Sequence, residues 1–493
     1  ECFQFIAEPE NNHMKFLETD MIMIDTDTQN AIDNPITVVP TEETECPIVL
    51  TEIENEEVFA DSKTNSSVAT VEISGMNNST LENIESETAT TTGKSSHAGQ
   101  KTEVKAVAEN QEKTSNSIKI LVGHTLSGHR EVVFEPNNTK MVSHPNMGII
   151  GTMGTGKTQF ARSVIAQFSK ESIHNVGGKP VGMLVFDYKG DYKDKEFLDA
   201  VGGTCYKFNY PFNPLKLVVN DEVEGMNLPA ITADRIADSF AKAYGLGLKQ
   251  QSNIKQVIID TYKDAGITKE PSSWKNPVPT MEQVIEKYFE TYDANDKAFA
   301  LLDKLRDYTI FTTDNSSCVS LFEWLNSVRV IDLTLYPDDT KKVIVSLILD
   351  LFYAEMRQLG GSKQENGFRE LRAMIMVDEA HQFLKKDFNS FRSIISEGRM
   401  FGVGMILSTQ NVSDFKTSKE DYSQFILSWV IHHVNSISKA ELANIFGASY
   451  PNSERYMDFI NKAKLFESVC KIGSRVDGIR DLPFFELIKD DER

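Results

Sequence analysis

The sequence predicts an α/β fold: a parallel, doubly wound sheet carrying an α-helical insertion and preceded by a disordered acidic N-terminal segment. Three features lead to that expectation. Apolar runs that end in polar residues stand at 147–150, 181–187, 327–334, 373–380, 402–410 and 424–434, the pattern of strands buried on both faces. Helical periodicity alternates with them, and between 226 and 325 it stands alone in ITADRIADSFAKAYGL, SNIKQVIIDTYKDAG and AFALLDKLRDY. Finally, the acidity is confined to the front. Residues 1–116 hold 23 Asp and Glu against 6 Lys and Arg, leaving 49 against 45 in the other 377 residues of a chain with formal charge -21.

Each segment follows from its composition. Residues 1–58 are acidic with short apolar pieces at 21–24, 36–39 and 47–50, which read either as short strands or as the tail of an upstream domain, the chain opening at Glu1 with no Met. From 59 to 116 the sequence turns to Ser, Thr, Asn, Glu and Lys. STLENIESETATTTGKSS (79–96) has too little apolar surface to offset the entropy of ordering, so a disordered linker is expected. IKILV (118–122) and REVVFEP (130–136) predict a small β lead-in over 117–143. The core then divides into 144–225, the helical insertion 226–325 and a second part, 326–493.

The five cysteines, at 2, 46, 205, 318 and 470, include no CxxC pair and no His at zinc-ligand spacing, which excludes a disulfide framework or zinc knuckle and fits a reduced, cytoplasmic setting. The strongest membrane candidate, IVSLILDLF (344–352), is short and interrupted by Asp350, so no membrane span is expected.

Chemistry is concentrated in two motifs. Gly151-Thr152-Met153-Gly154-Thr155-Gly156-Lys157-Thr158 fits GxxxxGK[ST], between the apolar run MGII and a helical pattern. Its backbone amides can wrap the phosphates of ATP, Lys157 can reach the β and γ oxygens, and Thr158 can hold Mg2+. The next residue, Gln159, belongs to the same nucleotide-binding set. The second motif is the strand Met374-Ile375-Met376-Val377 ending in Asp378 and Glu379. Alone, an acidic pair at a strand end serves as a helix cap as readily as a catalytic group. Beside a P-loop, Asp378 is the candidate for the Mg2+ shell and Glu379 for the base that orients and deprotonates water.

VDEAHQF (377–383) spells the DEAH box of a helicase class. Such a helicase needs a second lobe with an arginine-rich motif, whereas here Lys157 and Asp378 are 221 residues apart, only 115 residues follow Asp378, and no such motif occurs. The box is therefore read as the acidic pair of another ATPase class, with His381 a helix-start residue.

SEGRMFGVGMILSTQN (396–411) resembles the corresponding stretch of HerA/FtsK-type motors, the group that also includes VirB4- and TraG-like ATPases. His144, FDYKGDY (186–192), FNPL (212–215) and RVIDLTLYPDD (329–339) follow the same family order, and the likeness spans about 117–475. This resemblance implies a RecA-like P-loop ATPase core, a homo-oligomeric and usually hexameric ring, and ATP-driven translocation on double-stranded DNA. It further implies Gln410 as a sensor and Arg399 as a finger reaching into the neighbouring subunit's site, although Met400 stands where the family often has Lys. LVGHTLSGHREVVFEPNN and NVGGKPVGMLVFDYKGDY are similar to the C-terminal ATPase of the large subunit in phosphorothioation-dependent DNA restriction, which implies a bacterial defence setting with partner nuclease or restriction subunits.

No basic patch marks a DNA surface; Lys249, Lys255, Lys385 and Lys386 are candidates, each of a kind more often simply solvated. Three functions stay open: a DNA-translocating ATPase, a strand-separating helicase disfavoured by the missing lobe, and a nucleotide-gated scaffold that assembles a partner nuclease. Glu379 favours turnover, since a pure switch does not need a base.

Overall fold

The computed structural model describes residues 4–7, 14–17, 116–220, 225–447 and 453–491. Near the N-terminus, Gln4–Ala7 pairs antiparallel with Met14–Leu17. The rest of the acidic segment and linker expected before residue 116 lies outside the described residues, as do the strand-like pieces at 21–24, 36–39 and 47–50.

The body is built on one eleven-stranded sheet. Its strands in chain order are β1 Ile120–Thr125, β2 Glu131–Phe134, β3 Met147–Ile150, β4 Gly182–Asp187, β5 Thr204–Tyr206, β6 Val328–Asp332, β7 Ala373–Val377, β8 Val403–Thr409, β9 Ser428–Ile431, β10 Glu467–Ile472 and β11 Arg475–Asp481. Their spatial order is β2-β1-β11-β10-β9-β3-β8-β7-β4-β6-β5. From β9 to β5 every neighbouring pair is parallel. From β9 outward through β10, β11, β1 and β2 every pair is antiparallel.

The helices are α1 Lys157–Glu171, α2 Lys195–Val201, α3 Leu228–Tyr244, α4 Leu248–Asp264, α5 Met281–Thr291, α6 Lys297–Tyr308, α7 Leu321–Trp324, α8 Asp338–Leu359, α9 His381–Leu384, α10 Asn389–Glu397, α11 Lys439–Phe446, α12 Ser453–Lys462 and α13 Phe484–Asp491. Helices α3 to α7 fill the long connection between β5 and β6, the expected insertion. Their ends follow local rules. Thr280 and Gln283 close a reciprocal capping box on α5, and Asn227 caps α3 with Pro229 in its first turn.

Strand periodicity sends alternate side chains to two separate cores. Ile150, Leu184, Phe186, Ile375, Val377 and Leu407 face the insertion and α8. Met147, Ile149, Met183, Val185, Met374, Met376 and Ile406 face α1, α2 and α13. The FNPL stretch ties this frame to the insertion: Asn213 donates to Pro279 O (2.8 Å) and Asn315 Oδ1 (2.9 Å) and accepts from Leu215 N (2.9 Å). Asp350, which breaks the apolar run of α8, is buried and accepts from the hydroxyls of Ser239 (2.7 Å) and Ser390, so it pins α8 to α3 and α10. Among the described residues no helix is long and apolar enough to cross a membrane. Cys205, Cys318 and Cys470 are free thiols.

One expectation needs adjusting. The strand expected over 424–434 is shorter, because Tyr422–Phe425 turns in a 3-10 helix and pairing with β3 begins only at Ser428. The two runs of the β lead-in form β1 and β2. They join the main sheet through the β10–β11 hairpin, whose mixed polar and apolar strands gave no strong signal in sequence.

Gly148 in β3 lies under the buried Trp429 ring of β9, where an added Cβ would overlap the ring carbons. Gly148→Ala is expected to cost about 1–3 kcal/mol. A chemical denaturation midpoint is the measurement, and a loss below that range would mean the ring can move aside.

Candidate nucleotide site

The parallel pairing brings the carboxyl ends of β3, β8, β7 and β4 side by side, and four loops meet there. This is where open α/β sheets bind ligands. Gly151 to Gly156 follows β3, and α1 starts at Lys157. Two tethers shape the loop: Gly151 N donates to Thr409 O (3.2 Å) at the end of β8, and Thr152 N to His433 O (2.9 Å) just past β9. The Thr155 hydroxyl closes the turn onto Thr152 O at 2.9 Å. Gly154 (φ 75°) and Gly156 (φ 105°) occupy left-handed backbone. At Gly156 a side chain would also meet the Phe466 ring, 2.6 Å from the ideal Cβ.

A cavity of about 430 Å³ opens over this loop, lined by Thr152, Met153, Gly154, Gly156, Lys157, Thr158 and Gln159 on one side. Lys189, Asp191, Asp378, Glu379, Leu465 and Phe466 complete it. Gly151 and Thr155 lie beneath the lining, Thr155 being buried. The Lys157 ammonium rests against Gly151 O and Thr409 O (3.4 Å), and burial depresses its pKa against the pull of Glu379 and Asp378.

The acidic pair separates into two environments. Asp378 is buried; burial first, and then the neighbouring Glu379 charge, push it up to about 6, opposed by a hydrogen bond with the Ser408 side chain. Glu379 is 3% exposed and sits in left-handed backbone with φ 49°, a costly conformation for a glutamate. Burial would raise its pKa, but His381 and Lys189 outweigh burial and hold it at about 2. The Lys189 ammonium pairs with Oε1, while Gln410 Nε2 donates to Oε2 at 3.2 Å and His381 Nδ1 lies 3.2 Å from the same oxygen.

The loop after β4 is built by Asp187. One carboxylate oxygen accepts from the amides of Lys189 (3.2 Å), Gly190 (2.6 Å) and Asp191 (3.0 Å), and the other from Tyr192 N (3.0 Å). That turn aims Lys189 at Glu379 and places Asp191 Oδ2 within 3.4 Å of the Thr158 hydroxyl. Arg162 Nε holds the turn by donating to Asp191 O at 2.6 Å.

The structure therefore brings Thr152, Met153, Gly154, Gly156, Lys157, Thr158, Gln159, Asp378, Glu379 and Gln410 together, with Gly151 and Thr155 shaping the loop below. It sets Arg399 apart. That residue is in the turn Gly398–Phe401 ahead of β8, at the opposite end of the strand from Gln410. Seven strand residues separate the two ends, roughly 20 Å of extended chain. There Arg399 lies near Arg369 and His144, depressing both pKa values behind the leading effect of burial. Of the lysines considered for DNA, Lys255 is ion-paired with Asp234 at 2.7 Å, Lys249 and Lys385 are exposed, and Lys386 is half-buried.

Lys189, Asp191, Leu465 and Phe466 were not expected at the site. FDYKGDY carried a signal for the first two, being polar residues straight after a buried strand; Leu465 and Phe466 carried none. His381 does begin α9, and it also faces Glu379.

A P-loop, a buried acidic strand end and a polar residue on the strand between them form the arrangement of a P-loop nucleotide site. Comparison with known proteins shows what the chain is similar to. The model of the helicase HerA central domain matches residues 120–352, a span that holds the P-loop but not the acidic pair. The DNA import protein CedB of Sulfolobus acidocaldarius is 25% identical over 311 residues, 60% of this chain and 44% of that protein, so the chain spans less than half the length of this relative. VirB4 of Thermoanaerobacter pseudethanolicus shares the fold, with a TM-score of 0.56 and 16% identity over 74% of this chain and 96% of that one. The chain thus carries a RecA-like P-loop ATPase fold, and its residues 120–352 are similar to the HerA central domain.

If Lys189 positions Glu379, Lys189→Met should lower the turnover number for ATP about 10- to 100-fold, the scale of a 1 Å misplacement, with little change in KM. Lys189→Arg should keep most of the activity. Steady-state kinetics decides, and a KM effect without a turnover effect would argue for simple phosphate binding by Lys189.

Proposed function

We propose that the chain is an ATP-hydrolysing oligomeric motor that translocates on double-stranded DNA. The observation that carries this reading is the convergence of Lys157, Thr158, Asp378 and Glu379 on one cavity, with Gln410 hydrogen-bonded to Glu379.

The residues fit a Mg2+ nucleotide. Thr158 Oγ1, Asp191 and the buried Asp378 present oxygen donors beside a loop of amides. Among the described residues no cluster of three or more His, Cys, Asp or Glu could hold a metal alone. That suits Mg2+, which keeps water and phosphate oxygens as most of its ligands. When bound there, the ion would neutralise charge on the β and γ phosphates. Lys157 would leave its loop carbonyls for the same oxygens. Glu379 would orient a water and accept its proton, with Gln410 reporting the state of that carboxylate to β8.

Arg399 supports an oligomer. At roughly 20 Å from its own site it cannot serve there, and a guanidinium supplied in trans would stabilise charge growing on the transferred phosphoryl. A hexameric ring is the assembly we assign, on the family resemblance. The DNA role of CedB supports DNA as the track, and the restriction-like stretches at 121–138 and 175–192 favour a bacterial DNA-processing or phage-defence complex with partner nuclease subunits. The nucleotide-gated scaffold remains the second reading, because the sequence marks no basic patch; it predicts ATP turnover indifferent to DNA.

Glu379→Gln should bind ATP yet lose about 100- to 10,000-fold in hydrolysis, while Lys157→Ala should lose both. Substantial turnover by either variant would falsify the assignment. Duplex DNA should stimulate hydrolysis, and a triplex on the track should be displaced; failure of both tests favours the scaffold. Mixing Arg399→Ala with Lys157→Ala chains should restore activity at mixed interfaces, and absence of rescue at every ratio would remove the trans role.

A further inference from the structure

The cavity over the P-loop has two unlike ends. One is charged, with Asp378, Glu379, Lys189 and Asp191; the other is formed by Gln159, Leu465 and Phe466. The charged end suits the terminal phosphate. The apolar end has no role in that chemistry, although it is built with evident constraint.

Phe466 has φ 62°, and it and Glu379 are the two cavity-lining residues other than glycine in left-handed backbone. For a bulky side chain this is unfavourable unless the surroundings enforce it. They do so from both sides. Phe466 N donates to Thr155 O (3.3 Å) within the P-loop, and Phe466 O accepts from Asp481 N (2.8 Å). Asp481 is itself held in the core, accepting from the Ser468 hydroxyl at 2.5 Å and lying 3.1 Å from His432 Nδ1. His432 N in turn donates to Ile150 O (2.8 Å), directly before Gly151. The Phe466 ring thus lies on Gly156, backed by Phe485 at 5.5 Å, and Phe485 N donates to Gln159 Oε1 at 3.3 Å. Beside it Leu465 is 57% exposed, a large apolar side chain at the cavity mouth.

We propose that the Leu465–Phe466 turn is the nucleoside wall of the site: the planar aromatic base of the nucleotide lies against Phe466 and Leu465, and the phosphate chain runs from there over the P-loop towards Glu379. This rests on the nucleotide reading above. The wall is carried by the turn into β10 and wired to β3, so base and phosphates are held by one rigid unit. An apolar, aromatic wall without charged groups recognises a base by its face, which tolerates purines in general and holds pyrimidines, with less stacking area, more weakly.

The test measures binding of ATP, ADP and inorganic tripolyphosphate to the full chain in Mg2+ by calorimetry. Phe466→Ala should weaken ATP and ADP about 5- to 150-fold, the range of one base–aromatic stack, and change tripolyphosphate affinity less than twofold. Phe466→Trp should restore the nucleotides, and Leu465→Glu, at an exposed position where folding is not at risk, should weaken them in the same selective way. Unchanged ATP affinity in both Phe466→Ala and Leu465→Glu overturns the wall while leaving the P-loop reading intact. Equal losses of ATP and tripolyphosphate overturn it too, since Phe466 would then act by shaping the loop. A wild-type chain that binds neither ligand removes both readings.

Discussion

The site depends on one arrangement: a carboxylate buried to 3% exposure, held by donors from the loops after two neighbouring strands. Glu379 follows β7, Lys189 follows β4 and Gln410 follows β8, and these strands are immediate neighbours in parallel register. Burying a lone carboxylate costs several kcal/mol unless it is paired, so the alignment of strand ends is both a structural requirement and the source of the chemistry. Shifting any strand by one residue would invert its side chains and take the partner away. The left-handed backbone at Glu379 is sustained by the same contacts.

The two carboxylates at the end of β7 diverge because their surroundings do. Asp378 faces a hydroxyl and another negative charge, whereas Glu379 faces an ammonium and an imidazole. Both residues lie in the turn past β7, and the left-handed backbone at Glu379 takes its carboxylate into different surroundings from that of Asp378, which suits the two roles proposed for them.

Much of the fold was legible because buried parallel strands announce themselves as unbroken apolar runs, and the long insertion as helical periodicity without strands between. GTMGTGKT and MIMVDE were legible for the same reason: each couples a strand to an abrupt change in chemistry. Lys189 was hidden because a lysine in a polar turn is usually solvated, and only Asp187, buried at the strand end, turns it inward. Phe466 was hidden for a different reason. It meets Gly156 across more than three hundred residues, and no periodicity reports a contact between distant segments. The separation of Arg399 from its own site is likewise a matter of strand direction, which the order of motifs along the chain does not display.

The antiparallel side of the sheet has a consequence for how the molecule is made. β1 pairs with β11, joining Thr125 to Ile479, and the P-loop is buttressed by the turn before β10. As the polypeptide leaves the ribosome, the glycine-rich turn emerges some three hundred residues ahead of the turn that supports it. Such distant pairings make folding slow and leave early strands with open edges meanwhile. The glycine-rich turn thus gains its buttress only after residue 466 has been made, and a product terminated before that point would carry the signature motif without it.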